Sequence, residues 1–346
     1  MMFGPPLAGR YALLRELGAG ANARVYLAED QKLGRAVAVK VLGASNTQSP
    51  EAIQRLEREM RLAAAINHPN VCAITDAGRL DNGLPFLVME LLTGETLANR
   101  LEREKHLPVA VAVDFAEQML RGLHAAHRLG IVHRDVKPEN MFLVDMGLGR
   151  HLLKLLDFGT AFLQNPVQEH GLTLTRAGLV VGTPQYMSPE QLRGLRDFDP
   201  RTDVYACGVV LYEMLSGGRP FGVLPFADLC QAISFTQAPP LARTAPFVPS
   251  PIARAVDIAL ALNPNRRHAD AAAFLAALAQ TSVPEQVPTA AVDVLKHGAT
   301  VDEWDLPTTE GSAPSTVGAS QDWELPTTQS GPPSALGALD APSKRR

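Results

Sequence analysis

The feature that most constrains the fold is a change of hydrophobic period along the chain. Up to Glu90 the apolar residues fall in short strand-like segments, at 11–17, 24–29, 35–42, 73–79 and 84–90. In 35–42, alternation puts Ala36, Ala38 and Lys40 on one face and Val37, Val39 and Val41 on the other. From Val109 the spacing becomes helical, at 109–129, 203–215, 226–234, 252–262 and 269–279. One helix is expected earlier. Ser49-Pro50-Glu51 combines a capping hydroxyl, a first-turn proline and an acid, and Ile53, Leu56, Met60, Ala63 and Ala64 follow at helical spacing. Strands first and helices later predict an α+β chain, a small β-rich unit beside a larger α-rich one. A cleft between the two is a natural ligand site.

Composition narrows the function classes. A chain of 346 residues suggests roughly two folded units at about 150 residues each. Hydrophobic residues at 46% and charged residues at 20% exclude a fully disordered chain. A net charge of -4 argues against a general nucleic-acid binder. No apolar run approaches the roughly 18 residues that span a bilayer, and residues 1–10 lack the pattern of a secretory leader. Cys72, Cys207 and Cys230 are scattered, form no C-x-x-C knuckle and read as small buried hydrophobes in a reduced, cytoplasmic setting. Past residue 280, Pro, Thr, Ser, Gly and Ala dominate, and 281–346 reads as a disordered tail.

Gly18-Ala19-Gly20 alone reads as an ordinary turn. Its neighbours change that reading. Val25 follows it, and the next strand carries Lys40. A glycine-rich turn lets backbone N–H groups approach phosphate oxygens, and a lysine on a nearby strand adds a point charge. No Walker-type G-x-x-x-x-G-K-[ST] is present. His133-Arg134-Asp135-Val136-Lys137-Pro138-Glu139-Asn140 then precedes Asp157-Phe158-Gly159 and Ser188-Pro189-Glu190.

These motifs, in this order from about Tyr11 to Ala279, resemble the eukaryotic-type serine/threonine protein kinases, the bacterial members above all. The resemblance implies a bilobal protein-kinase fold over 11–280, with an N-lobe at about 11–92 and a C-lobe at about 93–280. It implies ATP and Mg²⁺ between the lobes, and protein substrates. Asp135 matches the aspartate that orients the substrate hydroxyl and accepts its proton, and Asn140 and Asp157 match the Mg²⁺ ligands. Lys137 resembles the lysine that contacts the γ-phosphate in serine/threonine kinases, and Thr183 the threonine that packs against the catalytic aspartate and this lysine. Lys40 needs an acidic partner; helical spacing leaves Glu57 and Glu59 open, and the family pattern favours Glu59. The nucleotide site maps to Leu17, Gly18, Gly20, Val25, Ala38, Lys40, Glu90 and Leu92, with Leu91 in the hinge and Met89 at the gatekeeper position.

Asp203 resembles the helix aspartate that ties down the catalytic loop. Glu190 resembles one half of an anchoring ion pair, with Arg267 rather than the adjacent Arg266 as the other half. Ala23 replaces the family's third loop glycine, and Tyr205 stands where tryptophan is more usual. Arg134 before the catalytic aspartate goes with activation by phosphorylation, for which Thr173 and Thr175 are the candidate acceptors. In the tail, Trp304-Asp305-Leu306-Pro307-Thr308-Thr309 recurs as Trp323-Glu324-Leu325-Pro326-Thr327-Thr328. The repeat resembles a docking motif used twice, or a phosphothreonine-domain ligand. A pseudokinase scaffold is the alternative reading, and it would need a missing catalytic element.

Overall fold

The computed structural model describes residues 5–20, 23–43, 58, 60–158, 184–195 and 198–280. The early strands form where alternation predicts them: β1 (Tyr11–Ala19), β2 (Ala23–Asp30), β3 (Arg35–Leu42), β4 (Ile74–Arg79) and β5 (Pro85–Glu90). They make one antiparallel sheet in the order β1-β2-β3-β5-β4. The turn between β2 and β3 closes at Gly34, whose φ of 62° disfavours residues with a Cβ. One sheet face packs Tyr11, Leu13, Tyr26, Ala28, Val37, Val39, Val41, Phe86 and Val88 into a core. Burying each large apolar side chain contributes about 1.5–3 kcal/mol. The register puts Val25 opposite Lys40, Lys40 opposite Leu87, and Ala38 opposite Met89. That row lies on the other face, which is the alternation expected for 35–42. A helical stretch at 60–64 lies between β3 and β4; the start expected at Ser49 falls outside the described residues.

After Glu90 the chain enters the larger lobe through β6 (Gly94–Thr96) and α1 (Leu97–Glu104). Thr96 caps α1, its Oγ1 accepting from Asn99 N–H at 3.2 Å. α2 (Val109–His127) buries Phe115, Met119, Leu120 and Leu123 along one stripe. β7 (Met141–Asp145) and β8 (His151–Leu155) complete a second sheet, ordered β6-β7-β8. The helices α3 (Pro189–Leu192), α4 (Pro200–Ser216), α5 (Phe226–Phe235), α6 (Leu241–Thr244), α7 (Ser250–Ala259) and α8 (Ala271–Ala279) follow.

α4 is the axis of this lobe, buried continuously from Thr202 to Tyr212. Asp199 caps its start and Gly217, at φ 77°, ends it. A Cβ on Gly208 would stand 2.9 Å from the Ala259 Cβ, so glycine is what lets α4 and α7 pack closely. The fold is therefore bilobal, a β-sheet lobe and a helical lobe. The small sheet and α1 were absent from the period reading, because α1 buries only Leu97 and Leu101 and the small-sheet strands are short. All three cysteines are buried and unpaired. Among the described residues no helix is long and apolar enough to cross a membrane.

Candidate active site

The segment 133–140 is irregular up to a 3-10 turn at Pro138–Asn140, so the shape of its first half comes largely from outside. Asp203, in the first turn of the buried helix α4, supplies most of it. One carboxylate oxygen accepts His133 N–H and His127 Nε2, both at 2.8 Å, and the other accepts Arg134 N–H at 2.8 Å. Arg134 is thereby held at φ 66°, a left-handed conformation that costs a non-glycine residue about 1–2 kcal/mol. Burial alone would raise the Asp203 carboxyl. The His127 bond and the surrounding donors overcome it and hold the group below its ordinary 3.8.

Within the loop Asp135 is surrounded by donors. Lys137 Nζ lies 2.9 and 2.8 Å from its two carboxylate oxygens. Asn140 Nδ2 donates to the same carboxylate at 2.9 Å and to the Asp135 carbonyl at 2.8 Å. Committing Nδ2 in this way leaves the Asn140 carbonyl oxygen as the acceptor end of the amide.

Asp157 enters at the end of β8. Leu156 N–H donates to the Asn140 backbone carbonyl at 2.9 Å, and the Leu156 carbonyl is 2.8 Å from His133 Nε2. His133 also packs edge-on against Phe158, with ring centroids 4.5 Å apart. Asp157 is the second non-glycine residue here with positive φ, at 64°. Its carboxylate meets Lys40 Nζ at 2.6 Å, which brings the β3 lysine to the lobe boundary. Burial pushes this carboxyl up, but Lys40 outweighs it and keeps the group below its ordinary value. Glu57, Glu59 and Thr183 lie outside the described residues, as do Thr173 and Thr175.

Hard oxygen donors suit a small divalent cation, which takes one or two protein groups plus substrate phosphates. The Asp157 carboxylate and the Asn140 carbonyl oxygen fit that donor set. Among the described residues no group of three His, Cys, Asp or Glu is arranged as a metal cage. Among the described residues, a Cβ on Gly18 would meet nothing within 4 Å, and one on Gly20 only the Ala23 carbonyl at 3.7 Å. Neither glycine has positive φ, so backbone conformation does not require glycine at either position.

In the helical lobe, Glu190 is bidentate to Arg267 at 2.7 and 2.8 Å, and Thr202 Oγ1 donates to it at 3.1 Å. Arg267 spends its other donors on the carbonyls of Ala261, Arg201 and Leu262. This resolves the choice between Arg266 and Arg267. Tyr205 packs under the same guanidinium, 4.8 Å from its ring centre. Gln191, not singled out from the sequence, closes a capping box with Ser188 and donates to the Arg134 carbonyl at 2.8 Å. His127 was also missed. A lone histidine ending a helix carries no signal of the aspartate it will meet. The S-x-x-Q spacing of Ser188 and Gln191 was a readable capping-box signal.

A protein kinase domain model matches residues 11–274. The chain belongs to the protein kinase family. Its relatives include the serine/threonine-protein kinase PknA of Mycobacterium tuberculosis, 38% identical over 82% of this chain and 65% of that protein. Pkn1 of Myxococcus xanthus is 38% identical over 90% of this chain and 44% of its own length. PknB of Mycolicibacterium smegmatis is 39% identical over 79% and 43%. The chain thus spans about two thirds or less of the length of these curated relatives. Among solved structures, the Mycobacterium tuberculosis PknI kinase domain matches with a TM-score of 0.62 at 26% identity, over 80% of this chain and 97% of that one. The resemblance to bacterial members of the family therefore holds across sequence and fold.

Proposed function

We propose that this kinase-family chain transfers the γ-phosphoryl group of ATP, with Mg²⁺, to serine and threonine hydroxyls of proteins. The observation that carries the proposal is the Asp135 carboxylate held by Lys137 and Asn140, in a loop clamped to Asp203, while Asp157 meets Lys40. Asp135 would accept the hydrogen bond of the incoming hydroxyl, align its lone pair and take its proton. Lys137 would swing between Asp135 and the transferred phosphoryl, and Lys40 would hold the nucleotide phosphates. Asn140 and Asp157 would hold Mg²⁺, whose charge offsets that of the phosphates. Leu17, Gly18, Gly20, Val25 and Ala38 would enclose the nucleotide, with the backbone of Glu90 and Leu92 reading the adenine edge. Glu59 and Thr183 keep the roles that the family pattern assigns to them. Catalysis of this kind is positioning and electrostatics, with no covalent intermediate on the protein.

Activation is assigned to autophosphorylation at Thr173 or Thr175, read by Arg134. The chain would act in signal transduction in the cytoplasm, over 11–280, with 281–346 as a tail recruiting a docking or phosphothreonine-binding partner through its repeats. The scaffold alternative lacks support, since Lys40, Asp135, Asn140 and Asp157 are all in place. The test is transfer from labelled MgATP by the purified chain beside Asp135→Asn, with the phosphosites mapped. Incorporation by the wild type only, at Thr173 or Thr175, supports the reading. Nucleotide binding without transfer to any protein would overturn it.

A further inference from the structure

Glu90, the last residue of β5, makes side-chain contacts that the reaction as described leaves unused. Its backbone N–H donates to the Ala73 carbonyl at 3.0 Å. Its carboxylate Oε1 accepts the Ala73 N–H at 2.7 Å and Lys154 Nζ at 2.8 Å. Lys154 belongs to β8, in the other lobe, paired with Phe142 of β7. The strap at 70–73 is tied to β8 as well. Cys72 N–H donates to the Leu155 carbonyl and Leu155 N–H to the Asn70 carbonyl, both at 2.9 Å.

One carboxylate therefore joins the end of β5, the strap, and the strand that delivers Asp157. The pair is partly sheltered, with the Lys154 side chain 13% and the Glu90 side chain 31% exposed. The buried Cys72 thiol lies amid these groups. Burial pushes it up to about 12, and the charges of Glu90, Lys154, Asp157 and Lys40 all act on it.

We propose that the Glu90–Lys154 ion pair is a positioning contact that fixes the separation between the hinge backbone and Asp157. The proposal rests on the kinase reading, in which the hinge backbone meets adenine and Asp157 meets the metal-bound phosphates. A ligand that spans both ends gains from a fixed separation, because its second contact is made at high effective concentration. A ligand that touches the hinge alone gains nothing.

The test uses the full chain and two ligands, MgATP and adenosine, titrated calorimetrically against wild type, Lys154→Met, Lys154→Arg and Glu90→Gln. Glutamine at 90 keeps an acceptor for Ala73 N–H but drops the charge. Lys154→Met and Glu90→Gln are expected to weaken MgATP about fivefold while adenosine stays within about twofold. The KM for ATP should rise in step for Lys154→Met, with kcat little changed, and Lys154→Arg should restore wild-type binding. Equal weakening of both ligands, or of neither, overturns the positioning role, as does a wild type that binds neither. A wild type that binds MgATP but phosphorylates no protein would instead overturn the kinase reading, and the two-ligand comparison would still decide on the ion pair.

Discussion

Asp203 holds the backbone N–H of Arg134 at 2.8 Å, although 69 residues separate them in sequence. The contact sets a left-handed residue immediately before Asp135. A buried helix residue thus decides where the candidate base points. The first half of the loop is held further by Gln191, which donates to the Arg134 carbonyl, and by the His133 ring against the Leu156 carbonyl.

Asp203→Ala should therefore damage more than stability. Three donors lose their acceptor, at a cost of about 3–5 kcal/mol for an uncompensated buried site. Asp203→Asn retains an acceptor and should fall between Ala and wild type. Urea unfolding beside phosphate transfer checks both. Transfer falling at least ~100-fold in the folded Asn variant is the expected sign of a misplaced Asp135.

The Glu190–Arg267 pair should be costly to break and cheap to replace. Glu190→Ala leaves a buried guanidinium unpaired, at about 3–5 kcal/mol. The double change Glu190→Leu with Arg267→Met should cost clearly less than the sum of the singles. A double-mutant cycle by denaturant melts measures the coupling, and strict additivity would contradict it.

The same pair sets an acid limb. Burial alone raises the Glu190 carboxyl, but the Arg267 bonds win and hold it below its ordinary 4.5. A carboxyl depressed on folding contributes stability above its unfolded pKa and loses it as pH falls through its folded pKa. Asp203 acts in the same direction, from 3.8 downward. Unfolding free energy should drop steeply below about pH 4.5 in wild type. The slope should be shallower in the Glu190→Leu, Arg267→Met variant.

Lys40→Met should remove transfer while sparing the fold. Lys40 meets Asp157 at 2.6 Å and sits on the sheet face away from the N-lobe core. Loss of one preorganised charge of this kind costs about 10²–10³ in rate. Steady-state kinetics and a thermal melt separate the two effects.

Gln191→Glu isolates a tether. Glutamate at this position preserves the capping box with Ser188 but has no N–H for the Arg134 carbonyl. Stability should change by only about 1 kcal/mol. The KM for a peptide substrate should rise several-fold, read against an unchanged KM for ATP.

Much of this protein is legible in its sequence alone. Period-two and period-3.6 patterns marked the five strands of the first sheet and most long helices, because burial of one face imposes its spacing on the residues. The ordered motifs named the family and the residues Lys40, Asp135, Lys137, Asn140 and Asp157. The β6-β7-β8 sheet and α1 escaped, since short elements with few buried residues carry little periodic signal.

Local spacing is written in the sequence, so residue types and their order determined the lobes and the candidate chemistry. Which groups meet across long separations is decided by packing. Glu90 with Lys154 and Lys40 with Asp157 are joined only when both lobes are assembled, and Gln191 with Arg134 and Asp203 with the 133–140 loop only when the helical lobe is packed. A side chain's partner depends on the distance and burial that the whole fold creates, and no window along the chain contains that information.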